Sequence, residues 1–181
     1  SIGLVGSEMC IRDRKYGGGV LIAVKSDIDA SIKRISMRKG AEIISVELTF
    51  GQEKVILCTV YRVGTLGEVN HDSIMNSMRS FYRGRKIKKI VVVGDFNLNS
   101  VSWPLDEDAL NTVTNIDKKF IDSFEEFGLQ QCITTPTHIK GKVLDLLLTN
   151  DPEYITNVNV HQENAICKSD HFPISFSVNT T

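Results

Sequence analysis

The segment KIVVVGDFN at 89–97 constrains this chain more than any other. Ile90 to Val93 form an unbroken β-branched run, the pattern of a strand buried on both faces, and the run stops at Gly-Asp. Such a strand needs neighbours on both edges and cover on both faces. The fold is therefore expected to close around a sheet with 89–96 at its centre, and the strand hands Asp95 and Asn97 to the loop beyond it. Two positions apart in extended chain, they point to the same side. A carboxylate there can bind a metal or take a proton from water, and an amide can donate to phosphoryl oxygens. GDFN is equally what an ordinary strand-to-turn boundary contains, since Gly, Asp and Asn all favour turns.

The remaining elements follow from periodicity. EIISVELTF at 42–50 and VILCTVYRV at 55–63, separated by the turn residues GQEK, predict an antiparallel hairpin. VLIAVKS after the glycines at 17–19 predicts a strand over 19–25. Ile74, Met75, Met78 and Phe81 recur at helical spacing, predicting a helix between Asn70 and Tyr82 capped by Asn70 or Asp72. Ile116, Phe120, Ile121, Phe124 and Phe127 predict a second helix over 115–127, stopped at Gly128. VLDLLLT at 143–149 and FPISFSV at 172–178 predict buried strands, with a weaker one at 155–160. Hairpin-paired strands with helices on their outer faces give an α+β or layered sandwich class.

At 181 residues and 41% hydrophobic content the chain is expected to form one domain. Its net charge of -1 conceals a basic run, RSFYRGRKIKK at 79–89. Arg83, Arg85 and Lys86 in that run could track a nucleic-acid backbone, or the run could be a solvated helix end. Four separated cysteines form no CxxC pair, which argues against a zinc site or disulfide framework and for a reducing compartment. No run approaches the roughly 18–20 apolar residues of a membrane span, and a signal-peptide core is absent from 1–14. A soluble intracellular protein is expected. LVGSEMCIRDR at 4–14 back-translates into a transposase-end sequencing adaptor, so 1–14 are expected to be non-native and the domain to run over 15–181.

Other polar residues sit where strands end. Asp170 and His171 are adjacent before the last strand, so they face opposite ways and suit two tasks, metal binding and proton handling. Asp145 interrupts an apolar run, and a carboxylate there needs a partner such as a histidine. Tyr61 and Arg62 close a strand and suit phosphate contact, or else a core phenol and a solvated guanidinium.

In order, GGGVLIAVKS, CTVYR, VVVGDFN, ITTPTH, VLDLLLTN and SDHFPI resemble the motifs of the endonuclease/exonuclease/phosphatase superfamily, above all the endonuclease domain of non-long-terminal-repeat retrotransposons. The resemblance spans 15–178. It implies a four-layer α/β/β/α sandwich lacking its first strands, and Mg2+-dependent phosphodiester cleavage, with Mn2+ as the alternative ion. It makes Asp95 the acid or base nearest the attacking water or leaving group, Asn97 and Tyr61 phosphate contacts, Asp170 the metal ligand, and His171 the phosphate-polarising or water-activating group oriented by Asp145. Ser169 supports the loop and Thr137 lies near the phosphate, while His138 stands where arginine is more usual. The implied partners are DNA and a reverse transcriptase domain in the same polyprotein, with nuclear access and without a membrane or an obligate oligomer. The family's metal-binding glutamate falls upstream of the GGG turn, where this chain offers only Glu8, so weak or absent nuclease activity is expected of it. The alternatives are a non-catalytic or nucleic-acid-binding remnant, and a lipid or nucleotide phosphatase of the same superfamily.

Overall fold

The computed structural model describes residues 19–38, 40–64, 67–82, 89–162 and 169–179. A hairpin of three strands comes first: β1 (Asp29–Arg38), β2 (Ala41–Phe50) and β3 (Glu53–Arg62), each antiparallel to the one before. Helix α1 (Gly67–Tyr82) then crosses to β4 (Lys89–Asp95), which lies parallel to β3. After α2 (Glu107–Thr112) and α3 (Asn115–Glu126) come the two-residue β5 (Gln130–Gln131) and β6 (Asp145–Thr149). β6 pairs antiparallel with β4, giving a six-stranded sheet in the order β1-β2-β3-β4-β6-β5. β7 (Ile155–Val160) and β8 (Ile174–Val178) form a second, two-stranded sheet. This is an α+β layered fold with β4 inside the main sheet, as its sequence requires. Among the described residues no helix is long and apolar enough to cross a membrane.

The core joins Val55, Cys58, Val60, Ile90, Val92, Phe96 and Leu146–Leu148 of the sheet region to Ile74, Met75 and Met78 of α1 and Phe120, Ile121 and Phe124 of α3. Val158, Val160, Ile174, Phe176 and Val178, at alternate positions of β7 and β8, pack against the same cluster. Cys58 is buried, and it and Cys132 are free thiols.

Four expectations change. Residues 19–25 are not a strand: among the described residues the segment has no ladder partner, and Leu21 is 65% exposed. A strand exists through its pairing, which an apolar run cannot supply alone. β1 was not expected, because DASIKRISMR has no clean alternation. Its pairing comes from β2, and its charges suit an edge position. α1 starts at Gly67, so neither Asn70 nor Asp72 caps it. Asn70 is fully buried in the first turns and its Nδ2–H donates to the Val63 carbonyl at 3.0 Å. α2 was missed because six residues carry too little periodicity, although Asp106 caps it through the Ala109 N–H at 2.7 Å. By contrast α3 matches closely: Thr114 caps it and Gly128 follows with φ +63°.

Gly94 of β4 is the register partner of Val60 in parallel β3, and its φ is +142°. A Cβ there would meet the Val60 carbonyl oxygen at 1.9 Å. Gly94→Ala is therefore expected to cost on the order of 3 kcal/mol or more, since both backbone strain and a backbone clash must be relieved. Urea unfolding measures this, and a loss under about 1 kcal/mol would contradict the close approach.

Candidate active site

Strand register assembles the site. Tyr61 of β3 is the register partner of Asp95 in β4, and Asp95 is the partner of Asp145 in β6. Register partners project to the same face, so a phenol and two carboxylates stand in one row across three adjacent strands. Glu42 of β2 extends the row, opposite Tyr61, and is 8% exposed.

The GDFN turn folds back on its own aspartate. The Asn97 N–H donates to Asp95 Oδ1 at 2.9 Å and Asn97 Nδ2–H to Asp95 Oδ2 at 2.8 Å, with Asn97 in the left-handed region at φ +49°. Phe96 goes the other way. It is fully buried, edge-on to Phe120 and Phe124 with centroids 6.3 and 5.5 Å away, and it pins the turn to α3. Asn97 Nδ2 also donates to the Arg62 carbonyl at 2.7 Å. Both amide hydrogens therefore hold the turn, and the donor role toward phosphate expected of Asn97 is already taken by protein.

Arg62 lies behind the row. At 1% exposure, it donates from Nη1 to the Phe96 and Asn97 carbonyls at 2.9 and 3.1 Å, pairs with Asp117 at 3.4 Å, and sits 4.8 Å over the Phe120 ring. Phosphate contact by Arg62 is thereby corrected. Adjacent strand positions face opposite ways, and Arg62 follows the core side while Tyr61 follows the site.

Asp145 and His171 meet as expected: the Nδ1–H of His171 donates to Asp145 Oδ2 at 2.7 Å. Their side chains are 30% and 19% exposed for His171 and Asp145 respectively. The ring's Nε2 is turned away from Asp145. Thr137 positions this pair rather than contacting solvent. It is fully buried, and its Oγ1 accepts the N–H groups of Leu144 and Asp145, each at 3.0 Å. Thr137 was expected as a phosphate contact near the site; its buried hydroxyl instead uses its acceptor capacity on the start of β6, next to Asp145. The SDH loop is laced to the same segment: Ile139 N–H donates to the Asp170 carbonyl at 2.9 Å, and Phe172 N–H to the Thr137 carbonyl at 2.7 Å. Ser169 Oγ accepts the His171 N–H at 3.1 Å, the loop-supporting part expected of it. Asp170 stands out from the surface with a side chain 59% exposed, and accepts from His138 Nε2–H at 3.1 Å. Arg83, Arg85 and Lys86 lie outside the described residues, as do 1–14.

Proton affinities follow from these contacts. Burial and then the charge of Asp145 push Asp95 up to about 6 from 3.8, against the hydrogen bonds from Asn97. Burial pulls His171 down, but the hydrogen bond and charge of Asp145, with Asp95 and Asp170, outweigh it and hold the imidazole above 6.5. Burial, then the charges of Asp95 and Glu42, raise the Tyr61 phenol, so it stays a hydrogen-bond donor at neutral pH. The hydrogen bond from His138 holds the Asp170 carboxyl below its ordinary value. A base near neutrality, an imidazole whose proton affinity is raised by its carboxylate partner and an exposed carboxylate are the parts of a hydrolytic site for phosphate esters.

Two residues at the site were not assigned from sequence. Glu42 was readable: counting back from the GQEK turn sets it opposite Tyr61. His138 was noted only as a departure from the family pattern, because its contact with Asp170 joins loops 32 positions apart.

Residues 55–175 match the endonuclease–reverse transcriptase family. The chain belongs to that family. It sits in the endonuclease/exonuclease/phosphatase superfamily, whose members are hydrolytic nucleases and phosphodiesterases. None of the curated proteins matches it. Among solved structures it resembles the endonuclease domain of TRAS1, a telomere-specific non-LTR retrotransposon, at TM-score 0.65 and 15% identity over 86% of this chain and 69% of that one. The cytolethal distending toxin of Haemophilus ducreyi gives 0.51 and 20% over 87% and 61%. Zebrafish (D. rerio) TDP2, solved with a single-stranded DNA product, gives 0.50 and 13% over 84% and 67%. At these identities the likeness is one of fold, and the chain spans about six-tenths of the toxin's length.

The folded state disfavours the Asp95 anion, so this group withdraws stability as pH rises from 3.8 toward about 6. Carboxyl NMR is expected to show Asp95 titrating near 6, and lower in Asp145→Asn. A midpoint at the ordinary carboxylate value, or one unmoved by Asp145→Asn, would contradict the arrangement.

Proposed function

We propose that the chain is a divalent-metal-dependent phosphodiesterase, the DNA-nicking endonuclease domain of a retrotransposon. The observation that carries this reading is the row of Tyr61, Asp95 and Asp145 with His171 hydrogen-bonded at its end. In this reading Asp95 takes the proton of the attacking water, since a carboxylate held near 6 is ionised at neutral pH yet basic enough to accept it. His171, oriented by Asp145, turns Nε2 to a phosphoryl oxygen and donates to it as negative charge builds. Tyr61 donates to a second oxygen. Asn97 keeps the Asp95 carboxylate in its rotamer.

The donor set fits a hard cation. Asp170 presents an exposed carboxylate, and the acids at 95 and 145 make the face negative. Mg2+ would be held by Asp170, with water and substrate oxygens completing its shell, and would supply electrophilic polarisation of the phosphate. The basic run RSFYRGRKIKK at 79–89 of the sequence, the chain's family membership and the TRAS1 likeness support DNA as substrate and a reverse transcriptase as a covalent neighbour.

The reading makes Mg2+-dependent cleavage of a DNA backbone the property to measure. Nicking of supercoiled plasmid with Mg2+ is therefore measured on this chain and on a form carrying the genomic codons upstream of Lys15. In the extended form, Asp95→Asn and His171→Ala are each expected to lower the rate about 10²–10⁴-fold. Equal nicking by the parent and both variants, or none by the extended parent, would overturn the proposal.

A further inference from the structure

His138, Asp170 and His171 bring two imidazoles and a carboxylate within 4.8 Å of one another. By donor type, such a set suits Zn2+ or a similar borderline metal. The far side of each ring decides whether it can act that way. A neutral histidine that binds a metal through Nε2 must carry its hydrogen on Nδ1. His171 meets that condition, because its Nδ1–H donates to Asp145. His138 does not: its Nδ1 accepts the Lys140 N–H at 3.0 Å and so must present a lone pair. The donor is fixed in place by a tight turn, in which Gly141 has φ +75° and its N–H donates to the His138 carbonyl at 2.9 Å. The hydrogen of His138 is thus on Nε2, which stands 3.1 Å from Asp170 Oδ2.

We propose that His138 is a positioning residue rather than a metal ligand: its Nε2–H, locked by the Lys140 N–H, holds one carboxylate oxygen of Asp170 and sets the direction of the other. The inference deepens the function proposed above and rests on it for the task of Asp170. The ring is 6% exposed and lies edge-on to His171 with centroids 4.9 Å apart, so it also fixes the spacing between Asp170 and the imidazole that faces the phosphate. Nothing in this arrangement asks His138 to touch the substrate.

The first arm of the test needs no catalysis. Ring 15N NMR of the metal-free full chain near neutral pH is expected to show His138 as the Nε2–H tautomer and His171 with hydrogen on Nδ1. Stoichiometric Zn2+ should leave the His138 ring signals in place. An Nδ1–H tautomer at His138, or loss of its Nε2–H on adding Zn2+, would overturn the proposal in favour of a metal centre.

The second arm uses His138→Gln, which keeps an N–H where Nε2–H stands, and His138→Leu, which removes it. Half-maximal Mg2+ for nicking by the extended form is expected to rise about tenfold or more in His138→Leu and to stay within about threefold of the parent in His138→Gln. Calorimetric Mg2+ affinity should follow the same order. Equal Mg2+ dependence in all three proteins would overturn the positioning role. If the parent does not nick at all, the functional reading fails while the tautomer still decides the inference about His138.

Discussion

The close parallel pairing of β3 with β4 is the constraint on which the rest depends. It brings Tyr61 level with Asp95, and the antiparallel pairing of β4 with β6 then sets Asp145 beside Asp95 on the other edge. Three functional groups from three strands need no loop to find one another. The cost is local. Gly94 must accept a conformation that side-chain-bearing residues rarely adopt, a Cβ there would stand only 1.9 Å from the Val60 carbonyl oxygen, and two acids must share one face. Their repulsion, added to burial, raises Asp95 to about 6. The strain that makes the site possible also tunes it.

The two sides of the sheet divide the labour. Behind the row, Arg62 is buried with its charge shared among Asp117 and two carbonyls, while Phe96 wedges into Phe120 and Phe124. Breaking such a pair leaves a buried charge, typically costing about 3–5 kcal/mol, so this side is built for rigidity. In front, Tyr61, Asp95, Asp145 and His171 are partly open and Asp170 is exposed. Thr137 ties the start of β6 to the ITTPTH segment, and that segment ties down the SDH loop. Rigid support thus extends from the core through a buried hydroxyl to the histidine.

Much of this was legible in the sequence, for reasons that differ by residue. The hairpin, β4, α3, β6 and the pairing of Asp145 with a histidine followed from periodicity and from the cost of burying a lone carboxylate. Asp95 could be placed at a strand end, but not beside Asp145, because register between strands 50 positions apart is set by the whole sheet. Arg62 was misread because the switch of face between Tyr61 and Arg62 sends the guanidinium inward, where Asp117, itself hidden among the apolar positions of α3, waits for it. β1 and the 19–25 segment were misjudged together, since pairing rather than composition makes an edge strand. The His138 contact needed two loops to be folded before it existed.

The central claim is that Asp145 and His171 act as one unit in hydrolysis, with the carboxylate working only through the imidazole. A double-mutant cycle on plasmid nicking by the N-terminally extended form, using Asp145→Asn, His171→Ala and the pair together, tests it most directly. The double variant is expected to be no slower than His171→Ala alone. Penalties that multiply in the double variant would mean that the two residues act independently, and would contradict it.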